Sequence, residues 1–428
     1  MIHHEGVTAG TDTATGYKKY QEINLNKFRE KWDEVLKRDH FKGAENLYLA
    51  RERGFNKRIL VVDHYVPTFD MDSGSLRMFS LLKIFAKLGY KVVFWPANRA
   101  YQERYTRELQ KIGVEALYGE ISFDEYVKSY GQYLDLVLLS RPHIAIDYIF
   151  TVKKHTKARI IYDTVDLHFL REERRARVEA SHSSESQRYK EMELFLARQA
   201  DDVFVISSLE GEVLEKEGFK EKVFVVPNVH SLEKCDGYFD QREGLMFIGG
   251  FIHLPNEDGI VWFVERILPL IRQELAEVKL YIVGSHPTKK VKSLASSDII
   301  VTGYVPDVRP YFEKSRIFVS PLRYGAGLKG KIGHSMAHGL PVVTTTVGAE
   351  GFNFIDGQSA LIADEEEEFA EKVVQLYRDR SLWETLSSNS RKLIEQNYTP
   401  EILKQKLKVF LEGRDSKRAN GVEISGEA

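Results

Sequence analysis

From Arg58 to residue 412, short apolar runs alternate with stretches in which apolar residues recur every three or four positions. The runs Arg58–His64, Lys91–Trp95, Val114–Leu117, Leu134–Leu139, Ala158–Tyr162, Asp202–Ile206 and Lys222–Val226 predict strands, and Leu76–Leu88 predicts a helix ended by Gly89. Pro227-Asn228 closes this series. A second begins with strands at Leu245–Gly250, Lys279–Val283, Ile299–Thr302, Arg316–Val319 and Pro341–Thr346, with helices at Gly259–Leu275, Glu365–Tyr377 and Leu382–Gln396. Strands alternating with helices of this length imply α/β architecture: two Rossmann-like, doubly wound parallel sheets. Ligand contacts are then expected just past the carboxyl ends of the strands.

The pattern divides the chain into residues 1–57 (a disordered segment, then an amphipathic helix over Asn24–Asp39), a first domain at 58–228, a polar linker at 229–244, a second domain at 245–412 and a disordered tail at 413–428. The final helix, Glu401–Leu411, is expected to cross back to the first domain. A polar linker favours hinge motion, so the cleft between the halves is expected to close on a ligand.

The stretch Ser320–Val343 carries the most chemistry. After an apolar run, Gly325, Gly327 and Gly330 let the backbone turn and approach a ligand closely. A helix of about residues 330–338 follows, stopped by Gly339 and Pro341. Backbone N–H groups, the helix dipole, Lys329 and Lys331 then converge on one point, a construction that holds phosphate. Gly325 to Lys331 also matches the start of a P-loop, but Ile332 stands where Ser or Thr would hold magnesium. The bland alternative is a glycine-rich connection with solvated lysines.

Composition narrows the choice. The 428 residues hold 61 Lys and Arg against 63 Asp and Glu, so no basic excess points to nucleic acid. Cys235 is the single cysteine, which excludes an intrachain disulfide and a cysteine zinc cluster and suits a reducing cytoplasm. No apolar run reaches the roughly 18 residues of a membrane span, so any membrane contact is expected to be peripheral, at the inner face.

Taken in order, several motifs resemble the GT-B glycosyltransferases, specifically the retaining family 4. They are Asp72-Ser-Gly-Ser-Leu-Arg77, Asp163-Thr-Val-Asp-Leu-His168, Ala200–Ser207 with Glu210, Val226-Pro-Asn228, Phe247–Asn256, Gly303-Tyr-Val-Pro-Asp307, the glycine loop and Gly348-Ala-Glu-Gly351. The resemblance implies two domains facing a cleft, the first for an acceptor and the second for a nucleoside-diphosphate-sugar. It also implies no metal and no cofactor, and the chain has no clustered ligand set. The run from Asn24 to Trp32 resembles the closing segment of a family 2 glycosyltransferase domain, which implies an upstream glycosyltransferase domain of the same polypeptide as a partner.

Carried over residue by residue, the resemblance and the chemistry put the donor at Gly249, Gly250, Phe251, His253, Tyr304, Gly327, Lys329, Gly330, Lys331, His334 and Glu350. Gly249 and Gly250 would offer N–H groups, and the lysines charge, to a leaving diphosphate. Glu350 is read as a sugar contact, with capping as the alternative. Catalysis falls to Lys329, with Asp166 and His168 near the transferred sugar; a structural histidine is the competing reading. The acceptor side takes Ser73, Gly74, Arg77, Arg141 and Arg171. Arg171, Arg174, Arg175 and Arg177 form either a patch for a lipid-diphosphate acceptor or a solvated helix salted by Glu172, Glu173 and Glu179. The family's two loop glutamates are replaced by Ala326 and His334. Three activities fit these residues: sugar transfer to a glycan or lipid-linked acceptor in cell-surface polysaccharide assembly, a non-catalytic nucleotide-sugar-binding module, or a sugar-nucleotide epimerase.

Overall fold

The computed structural model describes residues 14, 16–41, 46–180, 184–233 and 238–419. The terminal stretches 1–13 and 420–428, for which no fixed structure is expected, lie outside these residues, as do Cys235 and part of the 229–244 linker. Residues 1–57 form one compact unit and 58–428 another. The first contains a helix at Lys19–Asp39, which begins earlier than the expected Asn24, and a short one at Leu47–Arg51.

The second unit holds two sheets. One has seven strands: β1 (Lys57–Asp63), β2 (Tyr90–Pro96), β3 (Glu115–Ala116), β4 (Leu136–Ser140), β5 (Arg159–Asp163), β6 (Asp202–Val205) and β7 (Val223–Val225), in the order β3-β2-β1-β4-β5-β6-β7. The other has six: β8 (Leu245–Ile248), β9 (Leu280–Val283), β10 (Ile299–Gly303), β11 (Ile317–Ser320), β12 (Val342–Thr344) and β13 (Leu361–Ile362), in the order β10-β9-β8-β11-β12-β13. Parallel registers set Val61 opposite Leu138, Met246 opposite Tyr281 and Phe318 opposite Val342. The order reverses between β1 and β4 and again between β8 and β11, and crevices for ligands open at such switch points.

Alternate residues of each strand feed opposite faces, which is why the runs are apolar throughout. Ile59 and Val61 enter one core with Phe85 and Phe94; Leu60 and Val62 enter another with Trp95 and Leu139. In the second sheet Leu245 and Phe247 face one side, Met246 the other. The last helix, Pro400–Ala419, does return to the first sheet, burying Leu403, Leu407 and Leu411 beside Ile59 and Phe85. It also runs past Gly413, where a disordered tail was expected to begin.

One local expectation is corrected. The helix expected from Gly259 begins at Leu254, then widens into a π-turn at Phe263–Ile267. Pro269 has no N–H for the ordinary bond four residues back, which accounts for the widening. Strand β13 has two residues, too few for a periodic signal.

Candidate active site

The glycine loop leaves β11 and lies directly against the first-sheet half. Gly327 adopts a left-handed φ of 73°, and a Cβ there would stand 3.1 Å from Asp166 Cβ and 3.2 Å from Ile206 Cγ2. Lys329 precedes the helix Gly330–Ala337. A Cβ on Gly330 would stand 2.7 Å from Cβ of Ser73, the first residue of the helix Ser73–Lys87. Two helix N-termini therefore meet across the cleft. That of Ser73–Lys87 is capped by Asp72, which accepts from the Ser75 amide at 2.8 Å; that of Gly330–Ala337 has no side-chain cap and is the end suited to an anion.

Of the loop's cations, Lys329 is held away from water and Lys331 is half-buried. Lys329 is 7% exposed; its Nζ donates to the Gly327 carbonyl at 2.7 Å and lies 3.8 Å from Glu350 Oε2. Burial pulls its pKa down to about 8, against the attraction of Glu350. Lys331 donates to Asn256 Oδ1 and stands 4.5 Å from the Phe247 ring centre. Burial and the neighbouring Lys329 lower it to about 7. His253 is lowered to about 4 by burial and by Lys331.

Across the cleft, Asp166 Oδ2 accepts from Arg171 Nη1 at 2.6 Å. Burial opposes the charge of Asp166, but Arg171 and His168 hold its pKa well below the usual carboxylate range. His168 is buried between the Tyr189 and His143 rings, with Nδ1 3.0 Å from the Asp166 carbonyl. Burial lowers its pKa to about 4, so the imidazole is neutral at ordinary pH. The Glu193 carboxyl accepts from the His168 and Phe169 amides at 3.0 Å each and so caps the helix His168–Val178. Glu210, raised to about 7 by burial and by Asp166, accepts from the Leu167 amide at 3.0 Å.

The helix His168–Val178 sorts its arginines by face. Arg171 and Arg174, three residues apart, both turn to the cleft. Arg174 Nη1 donates to the Gly325 carbonyl at 2.7 Å and to Glu350 Oε2 at 2.5 Å. Arg175 pairs with Glu179 and Arg177 with Glu173, the solvated arrangement considered above. All four cations are thus paired within the protein.

Several predicted site residues are engaged elsewhere. Arg77, assigned to the acceptor, is 2% exposed and bound to Asp163. Phe251 is core: it is 1% exposed and packs near Phe247, with its amide on the Ser285 carbonyl. The Gly249 amide donates to Val283 within the sheet at 3.0 Å; among the described residues the Gly250 amide donates to none. Tyr304 directs its hydroxyl to Asp70 of the first half at 3.0 Å. His334 packs on the Phe312 and His338 rings, where burial lowers it to about 4. Gly74 faces Arg141, whose Nε donates to Asp63 at 2.8 Å. Ser73, Asp166, Lys329, Gly330 and Glu350 do come together, joined by Arg174 and Glu210. Arg174 was legible only as one of four arginines; its three-residue spacing from Arg171 is a face signal that Arg175, four residues from Arg171, shares. Among the described residues no cluster of His, Cys, Asp and Glu is placed to hold a metal, and no helix is long and apolar enough to cross a membrane.

Two parallel Rossmann-like halves enclosing this cleft define the GT-B fold. The same architecture is seen in Anabaena Alr3699/HepE in complex with UDP and glucose, with a TM-score of 0.64 at 15% identity over 84% of this chain and 100% of that one. Residues 242–379 match the family described as Glycosyl transferases group 1. An uncharacterized 44.6 kDa protein in the cps region of Klebsiella pneumoniae is 25% identical over 182 residues, 40% of this chain and 47% of that protein. The Staphylococcus aureus capsular polysaccharide biosynthesis glycosyltransferase CapM is 25% identical over 177 residues, 36% of this chain and 46% of its own. The chain spans about half the length of these curated relatives.

Proposed function

We propose that this protein is a retaining, metal-independent glycosyltransferase that moves a sugar from a nucleoside diphosphate to a glycan or lipid-linked acceptor in cell-surface polysaccharide assembly, acting in the cytoplasm or at the inner membrane face. The observation that carries the reading is the placement of Lys329, shut away from water, and of half-buried Lys331 at a helix N-terminus inside the cleft. Breaking the bond between sugar and diphosphate builds negative charge on the leaving oxygen. Cations already aimed there stabilise the transition state more than the ground state. The match to the group 1 family, the likeness to CapM and the UDP held by HepE support a nucleotide-sugar donor. Retention and the absence of a metal requirement rest on the resemblance to family 4. Neutral His168 and charged Asp166 are the groups we assign to the sugar being transferred.

A thermal-shift panel of UDP, GDP, dTDP and CMP tests the donor site. A nucleotide at 100 times its Kd stabilises a protein by about 2.7 kcal/mol when it binds only the folded state. One nucleotide is expected to stand out; no shift with any of them removes the donor assignment. His334, packed on Phe312 in place of a glutamate, favours the second reading, a non-catalytic module. Such a module would bind nucleotide-sugar without releasing nucleotide.

A further inference from the structure

We propose that Arg174 is a positioning residue: reaching across the cleft, it holds the Gly325 carbonyl and the Glu350 carboxylate, and through them sets the orientation of Lys329 toward the donor diphosphate. The inference rests on the donor-site reading above.

The loop needs an external hold. Gly325 and Gly327 take φ values of 143° and 73°, and glycine has the widest choice of alternatives, so the loop's own sequence does not select this shape. Arg174 supplies two contacts from the other half of the molecule, at 2.7 and 2.5 Å. Its own position is firm, because its helix is capped by Glu193 and tied one turn earlier through Arg171 to Asp166.

Charge makes the placement matter. One carboxylate, Glu350, serves two cations, with Arg174 at 2.5 Å and Lys329 at 3.8 Å. Without Arg174, Glu350 is free to close on Lys329 and neutralise the charge meant for phosphate. The donor site is therefore complete only when the first half stands against the loop.

Arg174→Met, Arg174→Lys and Glu350→Gln in the full chain test this. Without ligand, Arg174→Met is expected to raise amide hydrogen exchange across residues 325–330 by about tenfold while exchange in the strands stays unchanged. With donor, kcat should fall about 10²-fold and KM should change little, the pattern of lost positioning. Lys329 faces Arg174, Glu350, Glu210 and Asp166, and also Lys331 and His253, which the substitution leaves in place. Loss of the Arg174 cation should therefore move the alkaline limb of kcat upward, which a merely structural defect does not do. Arg174→Lys should recover part of the rate, and adding Glu350→Gln to Arg174→Met should recover part of it by sparing Lys329. Unchanged loop exchange with unchanged kcat overturns the proposal. If loop exchange rises while the wild type binds no nucleotide, Arg174's hold on the loop stands, and the donor reading falls together with any role toward a diphosphate. Should Arg174→Met fail to fold, Arg174→Lys and Glu350→Gln each probe the same contacts: loop exchange raised in both supports the role, and exchange unchanged in both overturns it.

Discussion

Arg77 and Asp163, 86 positions apart in the chain, form a two-point ion pair with both side chains shut away from water, Nη1 and Nη2 lying 2.8 and 2.7 Å from the carboxylate oxygens. Arg77 Nε donates as well to the Val226 carbonyl at 3.1 Å, and the Ser140 hydroxyl donates to Asp163. The pair thus ties the helix after β1 to the ends of β4, β5 and β7. Arg77→Met leaves a buried carboxylate without its cation, a change that costs about 3–5 kcal/mol. The denaturant midpoint should drop accordingly. Replacing Asp163 by Leu as well should restore much of the loss, since two apolar groups leave no unpaired charge. A single substitution with no effect on the midpoint would show that the pair contributes nothing.

Lys329→Ala should lower kcat by about 10²–10³, the usual cost of removing one group that stabilises a developing oxyanion. Donor binding should weaken less, because the charge being stabilised grows only as the bond breaks. Lys331→Ala should show a smaller effect, its ammonium being held by Asn256 at the flank. Rates at saturating donor decide the matter; a folded Lys329→Ala protein with full turnover returns the loop to a mere connection.

Donor affinity should fall as pH rises. Lys331 and Lys329 have pKa values lowered to about 7 and about 8 by burial. A bound diphosphate favours their charged forms and raises both values, so binding takes up protons. Affinity is then greatest below about pH 7 and declines through pH 7 to 9, with a limit of about tenfold per pH unit for each proton taken up. Calorimetry in buffers of different ionisation enthalpy measures that uptake. Proton release on binding would reverse the sign and defeat the assignment.

Gly330→Ala should disturb the cleft through a clash with Ser73 and a tight approach, 3.2 Å, to Asn228 Nδ2. The added methyl meets Ser73 Cβ at 2.7 Å, too close to keep without movement of one half. Overpacking of this kind costs about 1–3 kcal/mol. Ser73→Gly removes the opposing atom, so the double variant should recover both stability and nucleotide binding, with a coupling visible in a double-mutant cycle. Additive effects would mean that the halves do not press together here.

What the sequence by itself determined is what depends on near neighbours. Apolar runs set every strand but β13, helical spacing set the helices named in the sequence analysis, and the run from Gly325 to Pro341 announced a turn, two cations and a short helix. Those signals are local because backbone periodicity and glycine's freedom act over a few residues. The tertiary structure alone decided what each charged side chain does. Arg77, Arg141 and Arg174 look alike in sequence, yet Asp163 draws the first into the interior, Asp63 holds the second beside Gly74, and Glu350, 176 positions away, draws the third across the cleft. His334 likewise faces Phe312 because of where the helix Arg309–Lys314 packs, which no pattern around residue 334 records. A buried cation goes where a distant carboxylate compensates its lost hydration, and the meeting of those partners is a property of the folded chain.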